Sequence, residues 1–338
     1  MRIGFTYDMK EEYLALGYTP GQVAEMDSRR TIDLITGALE HHGHSVDPIG
    51  GLRALVDRLT QGGRWDCVFN IAEGLGTVSR EAQVPALLEA YGIPVVFSSA
   101  WTMLVTLDKA LTKTVLKEAG VPTPPWRTLH YESGLNSVDL AYPLFVKPLG
   151  EGSSIGVEDY SLVHDMEQLR ASSRVLWAKH NQPLLVETFL SGREFTVGVL
   201  GTGSQAHAIG VMERHLDKLD KSFARSFANK EIDHENQDFY SLRKDALGER
   251  VAELALASWA AVKGRDAGRV DIRCDGQGEP FVLEINALAG LTPGYSDLCI
   301  LAQLAGLDYN DLIGAILQEF SRRSPPMEDF GKLPHAAE

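Results

Sequence analysis

Two short stretches near the C-terminal end limit the fold of this chain more than any other feature: Gly268-Arg269-Val270-Asp271-Ile272-Arg273-Cys274 and Phe281-Val282-Leu283-Glu284-Ile285-Asn286. Both alternate, so both read as strands, and Asp275-Gly276-Gln277-Gly278-Glu279 between them reads as a hairpin loop. So short a loop sets the register, with Asp271 opposite Glu284 and Arg269 opposite Asn286. Alternation assigns Val270, Ile272, Cys274, Phe281, Leu283 and Ile285 to one face and Arg269, Asp271, Glu284 and Asn286 to the other. Two carboxylates and an amide oxygen are hard donors of the kind Mg²⁺ takes, and a cation beside them suits an anionic oxygen. Carboxylates facing one another across a hairpin repel unless a cation lies between them. The alternative is a solvated face with ordinary surface charges.

The 338 residues can bury a large core in two or three domains or lobes. A net charge of −14 leaves no basic excess for a phosphate backbone, which excludes a general nucleic-acid binder but not a nucleotide ligand. No apolar run approaches the ~20 residues that span a bilayer. Residues 1–8 enter a strand pattern without a signal-peptide core. The expectation is a cytoplasmic protein without membrane or nucleic-acid partners. Cys67, Cys274 and Cys299 are widely spaced among apolar residues and read as buried free thiols in a reducing compartment.

Residues 1–100 alternate strands at 3–7, 45–48, 65–71 and 94–97 with helices at 28–42, 52–61 and 82–91, which predicts a parallel sheet flanked by helices. His41, His42 and His44 look like a metal cluster, but they close a helix with Gly43 as its C′ residue, and histidine suits a helix C-terminus. A helix over 108–121 is stopped by Pro122, Pro124 and Pro125. Strands follow near 126–130 and 143–147. Consecutive strands at 184–190, 194–200 and 206–212 predict an antiparallel sheet. Residues 213–243 are polar and weakly periodic, long for a plain loop, and read as a mobile or ligand-ordered segment. Helices are predicted at 244–262, 298–305 and 309–323, and the tail from Ser324 is expected to be disordered. The expected division is 1–102, 103–183, 184–323 and a tail over 324–338.

Three more stretches carry chemistry. Phe145-Val146-Lys147-Pro148 delivers a lysine into Leu149-Gly150-Glu151-Gly152-Ser153-Ser154-Ile155-Gly156, a loop whose backbone can approach phosphate oxygens. It lacks the Gly-Lys-Ser/Thr that opens a helix in a Walker loop, and the alternative is a flexible surface hairpin. Leu184-Leu185-Val186-Glu187-Thr188-Phe189-Leu190 followed by Glu194 can frame a nucleoside: Glu187 and the backbone of Phe189 and Leu190 at the base, Glu194 at the ribose. Alone it is an ordinary strand pair. Lys109 starts a helix, where a solvated surface lysine is the alternative.

In order and spacing these elements resemble the ATP-grasp superfamily, and within it the D-alanine–D-alanine ligases, over about residues 1–320. The resemblance implies an α/β fold, α+β overall. It would have an N-terminal parallel β/α domain, a small central α+β lobe and a C-terminal lobe built on an antiparallel sheet. It implies that Lys109 and Lys147 hold ATP phosphates under a loop carrying Ser153 and Ser154. Glu187 and Glu194 would bind adenine and ribose. Asp271, Glu284 and Asn286 would hold two Mg²⁺, for which Mn²⁺ can substitute. Arg269 and the Gly290 N–H would stabilise a tetrahedral oxyanion. The family's reaction phosphorylates a carboxylate, and an amine then attacks the acyl phosphate. A homodimer is also implied.

The substrate side departs from the family. A His-Gly pair and Gly-Glu-Asp-Gly are replaced by Asn70-Ile71-Ala72-Glu73-Gly74 and Ser79-Arg80-Glu81-Ala82-Gln83. Glu73 would take an amine and Arg80 a carboxylate; the alternative for Arg80 is a salt bridge or a cap at the helix containing Gln83. Glu25 matches the family's first-substrate glutamate. Residues 223–232 contain Lys230 as a lid candidate and no tyrosine, and Ser296 stands in for the family's second-substrate serine.

These features point to an ATP-dependent ligase joining a small amino-acid-like carboxylate to an amine. D-alanine is the family's substrate, and other amino acids in specialised metabolite synthesis, or a hydroxy-acid acceptor, are alternatives. A nucleotide-binding regulatory protein without turnover is a second class. A nicotinamide oxidoreductase is disfavoured because no Gly-x-Gly-x-x-Gly follows Tyr7.

Overall fold

The computed structural model describes residues 1–76, 78–152, 155–214, 237–240 and 246–323, the backbone alone for 237–240. The expectations for Ser153, Ser154, Lys230, most of the 213–243 segment and the tail lie outside the described residues.

The N-terminal part runs β1 (Arg2–Thr6), α1 (Lys10–Ala15), α2 (Arg29–His41), β2 (Ser45–Pro48), α3 (Leu52–Thr60), β3 (Cys67–Asn70), α4 (Gln83–Ala90) and β4 (Val95–Val96). Its sheet has the order β2-β1-β3-β4 with every pairing parallel, as the alternation requires. Ser28 caps α2 by accepting from the Thr31 N–H, and Ile32, Ile35, Ala38 and Leu39 form its buried face. The helix ends at His41, and His42 Nε2 lies 2.8 Å from the Asn310 carbonyl.

Then come α5 (Ala100–Leu107), α6 (Lys109–Glu118), β5 (Trp126–Leu129), β6 (Leu144–Pro148), β7 (Leu162–Val163), α7 (Met166–His180) and β8 (Leu184–Thr188). The second sheet has the order β5-β8-β6-β7, backed by Leu169 and Leu176 of α7. Here one expectation is corrected. Residues 184–188 do not start the C-terminal sheet; β8 lies between β5 and β6, so a division at 183/184 cuts a paired sheet. The chain crosses from one sheet to the next immediately after β8: the Phe189 N–H bonds the Pro143 carbonyl at 3.1 Å and the Gly192 N–H bonds the Cys274 carbonyl at 2.9 Å. Only glycine fits there, because a Cβ on Gly192 would sit 2.3 Å from the Asp275 carbonyl.

The remaining elements are β9 (Glu194–Leu200), β10 (His207–Arg214), β11 (Gln237–Tyr240), α8 (Ala246–Ala261), β12 (Ala267–Cys274), β13 (Pro280–Asn286), α9 (Asp297–Leu304) and α10 (Tyr309–Arg323). They form an antiparallel sheet of order β11-β10-β9-β12-β13. Arg269 pairs with Asn286 and Asp271 with Glu284, as the loop length predicts. A bulge follows, so Ile272 pairs with Val282 and Arg273 with Phe281. This corrects the face assignment. Val282, not Leu283, joins Val270, Ile272, Cys274 and Ile285 in the core, while Leu283 lines a cleft beside Glu284 and Phe281 is half-buried. One inserted residue reverses every later side chain.

The first and third sheets are joined through a buried ion pair. Arg323 Nε lies 2.6 Å and Nη2 2.7 Å from the two Asp266 oxygens, and the Phe97 N–H donates to Asp266 Oδ2 at 2.7 Å. All three cysteines are free and buried. No single described helix is long and apolar enough to cross a membrane.

Candidate active site

Two connected cavities open where the three sheets meet, and Lys109, Glu151, Arg269 and Glu284 line both.

The first lies between the central and C-terminal sheets, with Phe145, Phe189 and Leu190 as apolar walls. Its buried centre is Glu187, whose Oε1 lies 2.6 Å from Lys147 Nζ and whose Oε2 lies 2.7 Å from Lys113 Nζ. Burial alone would raise the Glu187 carboxyl, but the two ammonium groups outweigh it and hold the pKa at about 2. Burial pulls Lys113 down to about 8 despite Glu187. Lys113 also donates to Thr123 Oγ1 at 2.8 Å. The sequence reading missed Lys113. A signal was present: it follows Lys109 by one helical turn on α6, so both sit on one face.

Glu194, at the start of β9, accepts from Arg273 Nη1 at 3.3 Å, and the Arg273 guanidinium lies 4.9 Å from the Phe189 ring centroid. The sequence reading missed Arg273, although alternation puts it on the face of Arg269 and Asp271; its partner Glu194 comes from the pairing of β9 with β12, which the local sequence does not show.

The β12–β13 pair forms the floor. Asp271 accepts from Thr196 Oγ1 at 2.9 Å and from Asn286 Nδ2 at 3.1 Å. Burial raises the Asp271 carboxyl; Arg269 works against this and Glu284 adds to it. Arg269 lies between two carboxylates, Nε 3.4 Å from Asp271 and Nη1 3.3 Å from Asp297. The other Asp297 oxygen lies 2.5 Å from Arg214 Nη2 at the end of β10. Burial opposes the Arg269 charge, but Asp271 and Asp297 outweigh it and raise its pKa. Neither Asp297 nor Arg214 was foreseen. Gly268 precedes Arg269 because a Cβ there would fall 2.4 Å from the Trp259 ring.

The second cavity, about 320 Å³, reaches from Arg269, Asn286 and Gly290 to Glu25, Glu73 and Glu81 on the N-terminal part. Ser296 starts α9 over Gly290, and its Oγ accepts from the Thr292 N–H at 3.0 Å. Glu25 lies outside any helix, before the Ser28 cap, and pairs with Arg80 at 2.8 Å. Arg80 also donates to the Gly150 carbonyl at 2.9 Å, so of its alternatives the salt bridge is the one formed. Lys109 Nζ donates to the Glu151 carbonyl and lies 3.5 Å from Glu284 Oε2. The structure therefore brings together Lys109, Lys147, Glu187, Phe189, Leu190, Glu194, Arg269, Asp271, Glu284 and Asn286 in or beside the first cavity, and Glu25, Glu73, Gly290 and Ser296 around the second.

Residues 115–318 match the family model of the D-ala D-ala ligase C-terminus. A D-alanine–D-alanine ligase of Bordetella petrii is 31% identical over 316 residues, covering 90% of this chain and 92% of that protein. The uncharacterized protein y4sG of Sinorhizobium fredii is 32% identical over 303 residues, covering 87% and 88%. The ATP complex of a Bacillus anthracis D-alanine–D-alanine ligase superposes with a TM-score of 0.70 at 22% identity, covering 96% and 98% of the two chains. A D-Ala:D-Ser ligase, VanG of Enterococcus faecalis, superposes with a TM-score of 0.71 at 19% identity. An ATP-grasp fold, a matching C-terminal family model and relatives similar along most of their length together make this chain a member of the D-alanine–D-alanine ligase family, whose enzymes are ATP-dependent, ADP-forming C–N ligases.

Proposed function

We propose that this chain is a Mg-ATP-dependent carboxylate–amine ligase that joins two amino-acid-like substrates through an acyl phosphate. The observation that supports this best is that Lys109, Arg269 and Glu284 line both cavities, so a nucleotide in one and a carboxylate in the other share a boundary. Lys147 and Lys109 supply charge for phosphate oxygens, and the apolar walls at Phe145 and Phe189 suit a base. Glu194 is placed for ribose hydroxyls.

The strand pair fits a divalent cation. Asp271 and Glu284 face one another, Asn286 adds an amide oxygen, and burial with mutual repulsion leaves Asp271 short of positive charge. Two carboxylates and an amide suit Mg²⁺, which keeps water and phosphate oxygens in its remaining positions. When bound, Mg²⁺ would neutralise charge on the transferred phosphoryl group.

The reaction balances with these residues. A substrate carboxylate oxygen bonds to the γ-phosphorus as the β–γ bridging bond breaks and ADP leaves. The acceptor, as a neutral amine, then bonds to the carbonyl carbon, the carbon–oxygen bond to phosphate breaks, and phosphate leaves with the proton that the amine gives up. Arg269, fixed by Asp271 and Asp297, and the Gly290 N–H face the carbonyl oxygen as it gains charge. Exclusion of water protects the acyl phosphate.

Phosphate release from Mg-ATP, measured against single and paired D- and L-amino acids with mass spectrometry of the products, tests this reading. Amino-acid-dependent release with an amide product is expected. Asp271→Asn should lower it at least about 100-fold with the fold intact by circular dichroism. Release indifferent to every amino acid, or wild-type turnover in Asp271→Asn, would overturn the reading.

A further inference from the structure

The second cavity is unevenly charged. At its hairpin end Arg269 is 9% exposed, and its Nε–H has no well-aligned acceptor, the nearby Asp271 oxygen being 3.4 Å away. A guanidinium lining a cavity suits an anionic ligand atom, such as a carboxylate.

At the other end Glu73 and Glu81 line the same space. Facing Glu73 are Glu81, Glu25 and Asp27 on the acidic side and Arg80 on the basic side; facing Glu81 are Arg80, Lys109 and Glu25. The cations are already engaged. Arg80 lies 2.8 Å from Glu25 Oε2 and 2.9 Å from the Gly150 carbonyl, but 4.0 Å from Glu81. Lys109 is held by the Glu151 carbonyl and Glu284. Lys10 lines the cavity near Asp27, which bonds Thr292. Among the described residues, therefore, these two carboxylates face the cavity with no cation closer than Arg80, 4.0 Å from Glu81.

Resting on the ligase reading, we propose that the amino acid bound in this cavity carries a second ammonium group on its side chain, received by Glu73 and Glu81, which makes the substrate class a diamino acid. One α-ammonium can pair with only one of the two glutamates and leaves the other without a counter-charge. A second ammonium neutralises both. The carboxylate of the same molecule then reaches toward Arg269 and Lys109, where phosphorylation takes place. Burial raises both carboxyls, Glu73 well above its ordinary value and Glu81 to about 8, as expected of glutamates short of a partner. Replacement of the family's His-Gly and Gly-Glu-Asp-Gly by the segments carrying Glu73 and Glu81 agrees with a changed side-chain requirement.

The test is isothermal titration of the full-length protein, with Mg²⁺ and a non-hydrolysable ATP analogue, against 2,3-diaminopropionate, ornithine and lysine and their neutral counterparts alanine, norvaline and norleucine, in both enantiomers. At least one diamino acid should bind about 10-fold or more tighter than its neutral counterpart, since a hydrogen-bonded charge pair lost from a buried site costs that much. In Glu73→Gln/Glu81→Gln that preference should vanish, while retained binding of the ATP analogue shows that the variant is folded. Equal or tighter binding of the neutral series, no binding of any member, or a preference that survives the double substitution overturns the inference. If the variant does not fold, the wild-type comparison alone decides. Phosphate release separates the two readings. Turnover with neutral amino acids alone keeps the ligase and removes the diamino acid, whereas tight diamino-acid binding without phosphate release on any added amine keeps the cation site and removes the ligase.

Discussion

The two cavities share a wall but handle buried charge in opposite ways. In the first cavity the buried Glu187 is held by lysines of α6 and β6, and beneath the wall that the two cavities share Asp297 is held by arginines of β10 and β12. In the second cavity Glu73 and Glu81 crowd Glu25, and among the described residues the arginine nearest to them, Arg80, is paired with Glu25. A paired set of charges is rigid and prepared for a highly charged ligand. An under-neutralised set is costly until something positive enters, and this makes it selective. Relatives with a shared nucleotide chemistry can therefore differ in substrate.

The largest expected effect tests the paired side. Lys113→Met leaves Glu187 with one counter-charge in a buried site and should destabilise the protein by about 3–5 kcal/mol in chemical denaturation at pH 7. A loss below about 1 kcal/mol would mean that Lys147 alone satisfies Glu187. Next, Arg269→Ala should remove about 3 kcal/mol of transition-state stabilisation, seen as a drop in kcat with little change in the KM for ATP. An effect on KM alone would place Arg269 with ground-state binding. Arg273→Leu should be milder, raising the KM for ATP by about 1 kcal/mol, roughly fivefold, through loss of its contacts with Phe189 and Glu194.

The smallest effect is a difference in pH slope. The folded-state pKa of Glu187 is depressed from 4.5 to about 2, so its stabilising contribution is complete above 4.5 and is lost as pH falls toward 2. That of Glu81 is raised from 4.5 to about 8, so its contribution is complete below 4.5 and is lost as pH rises toward 8. Melting temperature followed from pH 5 to pH 8 should therefore decline less steeply in Glu81→Gln than in wild type. Identical slopes would show that Glu81 is ionised in the folded protein and would weaken the contrast between the cavities.

Much of the nucleotide side could be read in advance, because its residues sit on regular elements. The β12–β13 loop is short enough to impose the Asp271–Glu284 and Arg269–Asn286 pairings, and both formed. Strand β6 delivers Lys147 into its loop, and Asp108 caps the helix that begins at Lys109. The substrate side was less legible. Glu25 and Glu73 lie on irregular backbone and Arg80 in a short 3₁₀ turn, so no periodicity indicates that Arg80 meets Glu25 across the chain. The sheet to which β8 belongs was also hidden, since an apolar strand pairs equally well with either neighbour and the crossing at Gly192 decides which.

By itself the sequence determined the alternation of strands and helices, the register of the hairpin beside its loop and the residue types from which a phosphate and metal site can be built. These are local properties, set by period, loop length and donor chemistry. Tertiary structure alone decided that Leu283 leaves the core through a bulge, that Lys113 and Lys147 converge on Glu187, that Asp297 joins Arg214 to Arg269, and that Glu73 and Glu81 share one cavity with few cations. Each depends on groups far apart in the chain and on burial, which strengthens every charge interaction and has no signature in local sequence.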